Sequence, residues 1–337
     1  MQLNIMPNQQ YLSENQRGFS MVELMIAMTL GLLILGGMIT VFSYNSSTRA
    51  ELEKSSRQIE NARYAMQLIS NDLSMAGYLG EYVPPQSMPL AAVPNPCATD
   101  AATLTAAMII HVQGYNNSAA AVTCISDVKA GTDVIVVRRA AACTARNPQE
   151  AGCDAVTEGL PYLQVSGCST DPDPYRLSTA SASLTLRKVS CAAAALASIR
   201  RYLTHIYFVA NNNLSGDGIP TLKRAELGAG AFTIVPLVEG IENLQFEYGE
   251  DTTASPGDGT PDLYTDYAAP AATVLNWWNV MSVRVALLAR NETISAGYTD
   301  NKTYVLAGET YGPFGDNYRR QALSAVVKLA NPAGRRE

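Results

Sequence analysis

The hydrophobic pattern of the chain changes character twice before residue 80. Residues 24–48 hold no charge, 25 positions in all. The stretch 24–44 is rich in Leu, Ile and Met, and a helix of that length crosses the roughly 30 Å of bilayer hydrocarbon. After Thr48 the pattern turns amphipathic. Leu52, Ile59, Met66 and Leu73 recur seven apart, and Ala62, Ile69 and Ala76 follow at an offset of three, an a/d stripe. Arg49, Glu51, Glu53, Lys54, Arg57, Glu60 and Arg63 form a mixed-sign solvated face between them. Gly77 is a natural C-cap. The pattern therefore predicts one helix over 19–76, 58 residues and about 87 Å at 1.5 Å per residue. A stripe this short reads as packing on the protein's own sheet rather than on a partner coiled coil.

Residues 78–98 carry five prolines and read as a connector. Beyond them the β-branched and aromatic residues predict strands at 132–138, 183–189, 202–210, 222–227, 244–248, 281–288 and 325–329. Asn211 to Asn213 and Ser215 to Gly218 predict a turn between two of these. Residues 97–191, Ala-rich and full of turn residues, read as an insertion or subdomain laid over the sheet. No internal repeat is visible. The expected class is α+β, with a mainly antiparallel sheet against the long helix.

Composition adds compartment and partner class. The 337 residues are 47% apolar and only 16% charged, with net charge −6. No block of basic residues occurs, so strong binding to a phosphate backbone is not expected, and no specific nucleic acid is implied as partner. Six cysteines, Cys97, Cys124, Cys143, Cys153, Cys168 and Cys191, all lie in the middle third and form no C-x-x-C. That argues against zinc or thioredoxin-like chemistry and for disulfides in an oxidising compartment. Six cysteines allow 15 pairings. Pairing of neighbours is the simplest, with Cys143 to Cys153 closing a short loop.

The apolar run is not a conventional secretory signal. It ends without a small-residue cleavage site and continues into more helix. Glu23 sits at its edge, where a carboxylate needs a cationic partner. If the chain is cut before Phe19, the new α-amine lies four residues away and is the nearest candidate. The sequence Arg17-Gly18-Phe19-Ser20-Met21-Val22-Glu23-Leu24 resembles the class III signal of type IV prepilins. The resemblance implies cleavage by prepilin peptidase after Gly18, N-methylation of Phe19, and a role for Glu23 in assembly. It implies a leader over 1–18, a helix over 19–77 that spans the membrane in its first half, and a globular head over 78–337. Met6 is an alternative start to Met1. Arg49, Lys54 and Arg57 would by charge alone favour the opposite orientation. The cysteines and the motif place the head outside the cytoplasm.

The second half carries a narrower resemblance. Tyr207 to Asn212, Leu222-Lys223-Arg224, Leu237 to Leu244, Tyr248 to Asp251, Trp278-Asn279-Val280, Val283-Arg284-Val285 and Leu288-Ala289-Arg290 are similar to the PilW family of minor pilins. The likeness covers the first 80 residues and about 200–330, not the cysteine-rich middle. It implies a rare subunit that joins other minor pilins and the major pilin, primes filament assembly and sits at the pilus tip. The inner membrane is its station before assembly, the extracellular pilus afterwards. Competing readings are a minor pseudopilin of a type II secretion system and a tip subunit for adhesion or DNA uptake.

Little in the chain points to catalysis, and no cofactor is implied. Walker A, G-x-G-x-x-G and G-x-S-x-G patterns are absent. The two histidines, His111 and His205, lie in apolar runs and read as satisfied sheet residues. Asp251, Asp258, Asp262 and Asp266 make a calcium candidate on a Gly-rich loop, but their spacing departs from an EF-hand, and an Asp/Gly turn is the favoured reading. Trp277-Trp278 reads as a packing pair.

Overall fold

The structure, a computed structural model, describes residues 18–85, 92–117, 120, 122–255, 257–267 and 273–336. The leader expected over 1–18 lies outside them apart from Gly18, as do both possible starts. The chain divides into two compact units, Met1–Glu53 and Lys54–Glu337.

Helix α1 (Met21–Ser74) begins in the first unit and ends in the second. None of its residues in the first unit is buried. Its most apolar 18-residue window has a mean hydropathy of 2.3, so length and composition suffice to cross a membrane. In the second unit α1 buries Gln58, Ala62, Ala65, Ile69, Asp72 and Leu73, steps of four and three that keep one face inward. The expected stripe is thus shifted. Leu52 is exposed, Ile59 and Met66 are half-buried, and two polar residues take core-facing positions. The helix stops at Ser74, and the chain turns at Gly77 with φ +71°. A Cβ there would lie 3.1 Å from His111 Cβ, so both conformation and space call for glycine.

The rest of the second unit is mostly antiparallel sheet. In chain order follow α2 (Ala101–Ala107), β1 (Val112–Tyr115), β2 (Val134–Ala140), β3 (Tyr162–Val165), β4 (Tyr175–Ser178), β5 (Ile199–Ala210), β6 (Thr221–Leu227), β7 (Phe232–Glu239) and β8 (Ile241–Glu250). Then come β9 (Leu263–Thr265), α3 (Val274–Trp278), β10 (Val280–Arg290), β11 (Tyr304–Leu306), β12 (Glu309–Tyr311), β13 (Arg320–Lys328) and α4 (Ala330–Gly334). Strands β1-β2-β5-β3-β4 with β6 and β7 make a seven-stranded sheet, and β13-β10-β8-β9 a four-stranded one. Strands β11 and β12 form a separate hairpin. The class is α+β, as the pattern predicts. The main core joins Ala62, Ala65, Ile69 and Leu73 of α1 to Ile135, Val137, Tyr207 and Val209 of one sheet and Leu244, Phe246, Val283 and Val285 of the other. Alternation explains it: Leu244 and Phe246 on β8 oppose Leu287 and Val285 on β10, all on one face.

The cysteine-rich middle is not laid over the sheet. It supplies β1 to β4, and β2 pairs directly with β5. Three disulfides join Cys97 to Cys124, Cys143 to Cys153 and Cys168 to Cys191. The strand expected at 183–189 does not form. Its backbone is shared between side chains and coil: Leu186 N donates to Gln164 Oε1 at 2.9 Å and Arg187 N to Asp171 Oδ2 at 2.7 Å, while the Leu186 carbonyl accepts from Ala197 N and Lys188 N donates to the Ala195 carbonyl, both at 2.8 Å. Gln164 Nε2 donates back to the Leu186 carbonyl at 3.1 Å. β-Propensity is overridden where side-chain partners satisfy the backbone first.

Candidate functional site

The first turn of α1 carries the expected processing and assembly residues. Gly18 and Phe19 are exposed and outside the helix, with open space around Gly18. Ser20 caps the helix. Its Oγ accepts from Val22 N at 3.3 Å, and Glu23 Oε2 accepts from Ser20 N at 2.9 Å. Ser-x-x-Glu is a capping box, in which the N3 carboxylate satisfies the N-cap amide. Glu23 therefore has a local role at the helix start, satisfying the Ser20 amide. Sequence held the signal: Ser20 followed three residues later by Glu23.

In the second unit, Asp72 ties α1 to the seven-stranded sheet. Its Oδ2 lies 2.6 Å from His205 Nδ1 and accepts from the Tyr207 hydroxyl at 2.8 Å, while Oδ1 accepts from Arg139 Nε at 2.6 Å. Burial alone would raise the Asp72 pKa, but His205 and Arg139 outweigh it and hold the carboxyl well below the usual range. His205 is the satisfied sheet histidine expected of it. Arg320 makes a second knot, bonded to Glu242, Asp300 and Asp316 at 2.5, 3.0 and 2.6 Å. Both knots link elements distant in sequence. Their signal in the sequence was slight: Asp72 interrupts an apolar helical face, and Arg320 begins a strand.

The acidic loop and the tryptophan pair make internal contacts. Asp251 Oδ2 accepts from Asp258 N, Gly259 N and Arg336 Nη1, all within 3.0–3.1 Å. Asp262 Oδ2 accepts from Thr252 N at 2.8 Å, and Asp258 Oδ1 from Thr260 N at 2.9 Å. These bonds occupy oxygens that a cation would need. Among the described residues no group of three or more His, Cys, Asp or Glu is placed to hold a metal. Trp277 is buried edge-on against Tyr248 and Tyr267, at centroid distances of 4.9 and 4.8 Å. Trp278 is half-buried.

Two family models match the chain. Residues 14–39, which include Gly18, Phe19 and Glu23, match the prokaryotic N-terminal methylation motif. Residues 206–331, from within β5 into α4, match the type IV pilus-assembly protein W, PilW. The chain carries the signatures of a type IV minor pilin of the PilW family. No curated protein and no solved structure matches it significantly. The two PilW and methylation-motif matches support a role in type IV pilus assembly, with other pilins and prepilin peptidase as the partner class. The apolar half of α1 fits anchoring in the inner membrane and incorporation into a pilus. The pilin family is structural rather than enzymatic. The disulfide-linked middle lies outside both matches.

Proposed function

We propose that the chain is cut between Gly18 and Phe19, methylated on the new amine, and joins other minor pilins in a complex that primes the filament and stays at its tip. The observation that carries this reading is the methylation-motif match placed on an exposed Gly18-Phe19 junction, immediately before an apolar helix. Before assembly the anchor lies in the inner membrane with the second unit on the periplasmic side, where the three disulfides are at home. In a filament the residues 24–44 pack among the anchors of other subunits, in a water-poor surrounding. A carboxylate is tolerable there when neutralised, and the processed amine of Phe19, on this chain or the next, is the cation at hand. Such a pair fixes register more than it adds stability, because desolvation offsets attraction.

The capping box permits a clean test. Gln can occupy the third position of the box as Glu does, but carries no charge. Glu23→Gln therefore keeps the cap and removes the ion pair, whereas Glu23→Ala removes both. Both variants are expected to insert and be cleaved as wild type, and to co-purify with the other minor pilins severalfold less from detergent-solubilised membranes, with reduced piliation. If Glu23→Gln matches wild type in both assays, the charge has no part in assembly.

A further inference from the structure

The four-stranded sheet ends on one side at β13, which among the described residues pairs with β10 and no other strand. Its register against β10 runs without a shift from Arg320 to Lys328. Just beyond the two ends of that ladder, Leu329 N donates to the Met281 carbonyl and Asn291 N to the Arg319 carbonyl. Bonded positions alternate along an antiparallel pair, so the odd-numbered residues of β13 face β10 and the even-numbered ones face away. The outward N–H and C=O groups of Ala322, Ser324 and Val326 have no hydrogen-bond partner among the described residues, and all three residues are exposed.

The other marginal strands among the described residues are blunted. β1 and β4 have 4 residues each and β9 has 3. β7 is longer but carries Pro236, and its pairing with β6 slips between Leu222 and Lys223. Short length, proline and bulges are the devices that keep an edge from recruiting a strand. β13 has none of them: 9 residues, no proline, no register shift, and no charge from Gln321 to Val327. An edge left open in a protein that closes its others is a place where a strand is added.

Side chains narrow the occupant. On one face of β13, Val327 belongs to the main core and Leu323 packs against it. The other face shows the small side chains of Ala322, Ser324 and Val326. An added strand therefore needs apolar residues on its core side and small polar ones on the other. Exposed Arg319 and Lys328 stand at the two ends of the edge. A second copy fits poorly there. Antiparallel pairing about Ser324 would bring Lys328 of one copy opposite Arg320 and beside Arg319 of the other, and like charges directly opposite are destabilising. We propose that β13 takes up an extended segment of another polypeptide as a further, antiparallel strand, apolar toward the core side, neutral in its middle and acidic at both ends. Antiparallel is the sense of every pairing already in this sheet. Main-chain bonds to the edge give such a partner its affinity, and the alternating side chains and end charges give it specificity. This reading does not depend on the filament role above.

The probe is N-acetyl-Glu-Val-Thr-Val-Ser-Val-Thr-Val-Glu-amide, titrated calorimetrically into the detergent-solubilised full chain. With its serine opposite Ser324, the valines lie on the core side and the glutamates reach the two cationic ends. Methylation of the serine nitrogen removes an N–H that bonds to the edge and should weaken binding at least about tenfold. Methylation of the preceding valine nitrogen, whose N–H points away from β13, should leave binding within about twofold. Lysine in place of both glutamates should weaken it severalfold. Ser324→Pro removes an outward N–H without touching the ladder to β10, and should weaken the unmethylated peptide as serine methylation does. The comparison of the two methylated peptides needs no protein variant, so it stands even if Ser324→Pro folds poorly. Equal binding of those two, or no binding of the unmethylated peptide, overturns the proposal. A dimer of the full chain that Ser324→Pro abolishes would make a second copy the occupant and overturn the separate polypeptide as partner.

Discussion

Residues 97–191 and residues 199–328 meet in the seven-stranded sheet but are held together by different means. The later segment builds long ladders: β5 has 12 residues, β8 10, β10 11 and β13 9. These strands supply most of the main core with α1. In the earlier segment β1, β3 and β4 have 4 residues each, too few to hold register by hydrophobic burial alone. There, three disulfides and side chains such as Gln164 fix the loops. The family match follows the division, covering 206–331 and leaving the disulfide-linked segment aside. A scaffold with long strands tolerates an elaborated neighbour when covalent links supply the order that short strands cannot.

The comparison can be broken first at the scaffold. Phe246 is fully buried at the centre of the four-stranded sheet. Phe246→Ala is expected to cost about 3–5 kcal/mol and to lower the denaturation midpoint of the whole second unit. A loss confined to residues 97–191 would contradict the division. Reduction of the disulfides comes next, with an expected cost of about 2–4 kcal/mol for each bond. Hydrogen exchange should then accelerate across 97–191 while β8 and β10 stay protected. The entropic model ranks Cys97 to Cys124, 27 residues apart, above Cys143 to Cys153, 10 apart. Uniform deprotection of the whole unit would show that the scaffold depends on the disulfides.

A smaller effect is expected at Gln164, whose Oε1 accepts from Leu186 N and whose Nε2 donates to the Leu186 carbonyl, which also accepts from Ala197 N. Gln164→Leu should cost about 1–3 kcal/mol, the penalty of buried polar groups left unpaired, and should loosen 183–189 with little change in β10. The smallest effect is acid sensitivity at Asp72, which ties α1 to the scaffold. Its folded pKa is depressed below the ordinary 3.8, so its contribution is present above that pH and is lost as pH falls through the lower folded value. Denaturation midpoints between pH 4 and 2 should fall more steeply for wild type than for Asp72→Asn. Parallel curves would show that the Asp72 carboxylate is not what pins the helix.

Much of the architecture was legible. An apolar run followed by an amphipathic stripe announced α1, and β-branched and aromatic residues announced β5, β8 and β10, because long elements leave long patterns. The predicted turn at 211–218 separates β5 from β6. The strands β1, β3 and β4 were missed because four residues carry too little period to stand out from coil. The stretch 183–189 reads as a strand by composition, and only tertiary partners, Gln164 and Asp171, decide otherwise. The α1 face was drawn from apolar positions, so Gln58 and Asp72 escaped. Gln58 Nε2 donates to the Ala289 and Arg319 carbonyls at 2.7 and 3.0 Å, contacts that no spacing rule in the helix announces. The Gly18, Phe19 and Glu23 motif was readable because it is local and contiguous.

The central claim is that this is a processed pilin subunit, and the mature N-terminus tests it most directly. Mass spectrometry of the chain purified from membranes should find residue 19 first, carrying an N-methyl group on Phe19. A mature chain that begins at residue 1, or after residue 40, would contradict the account.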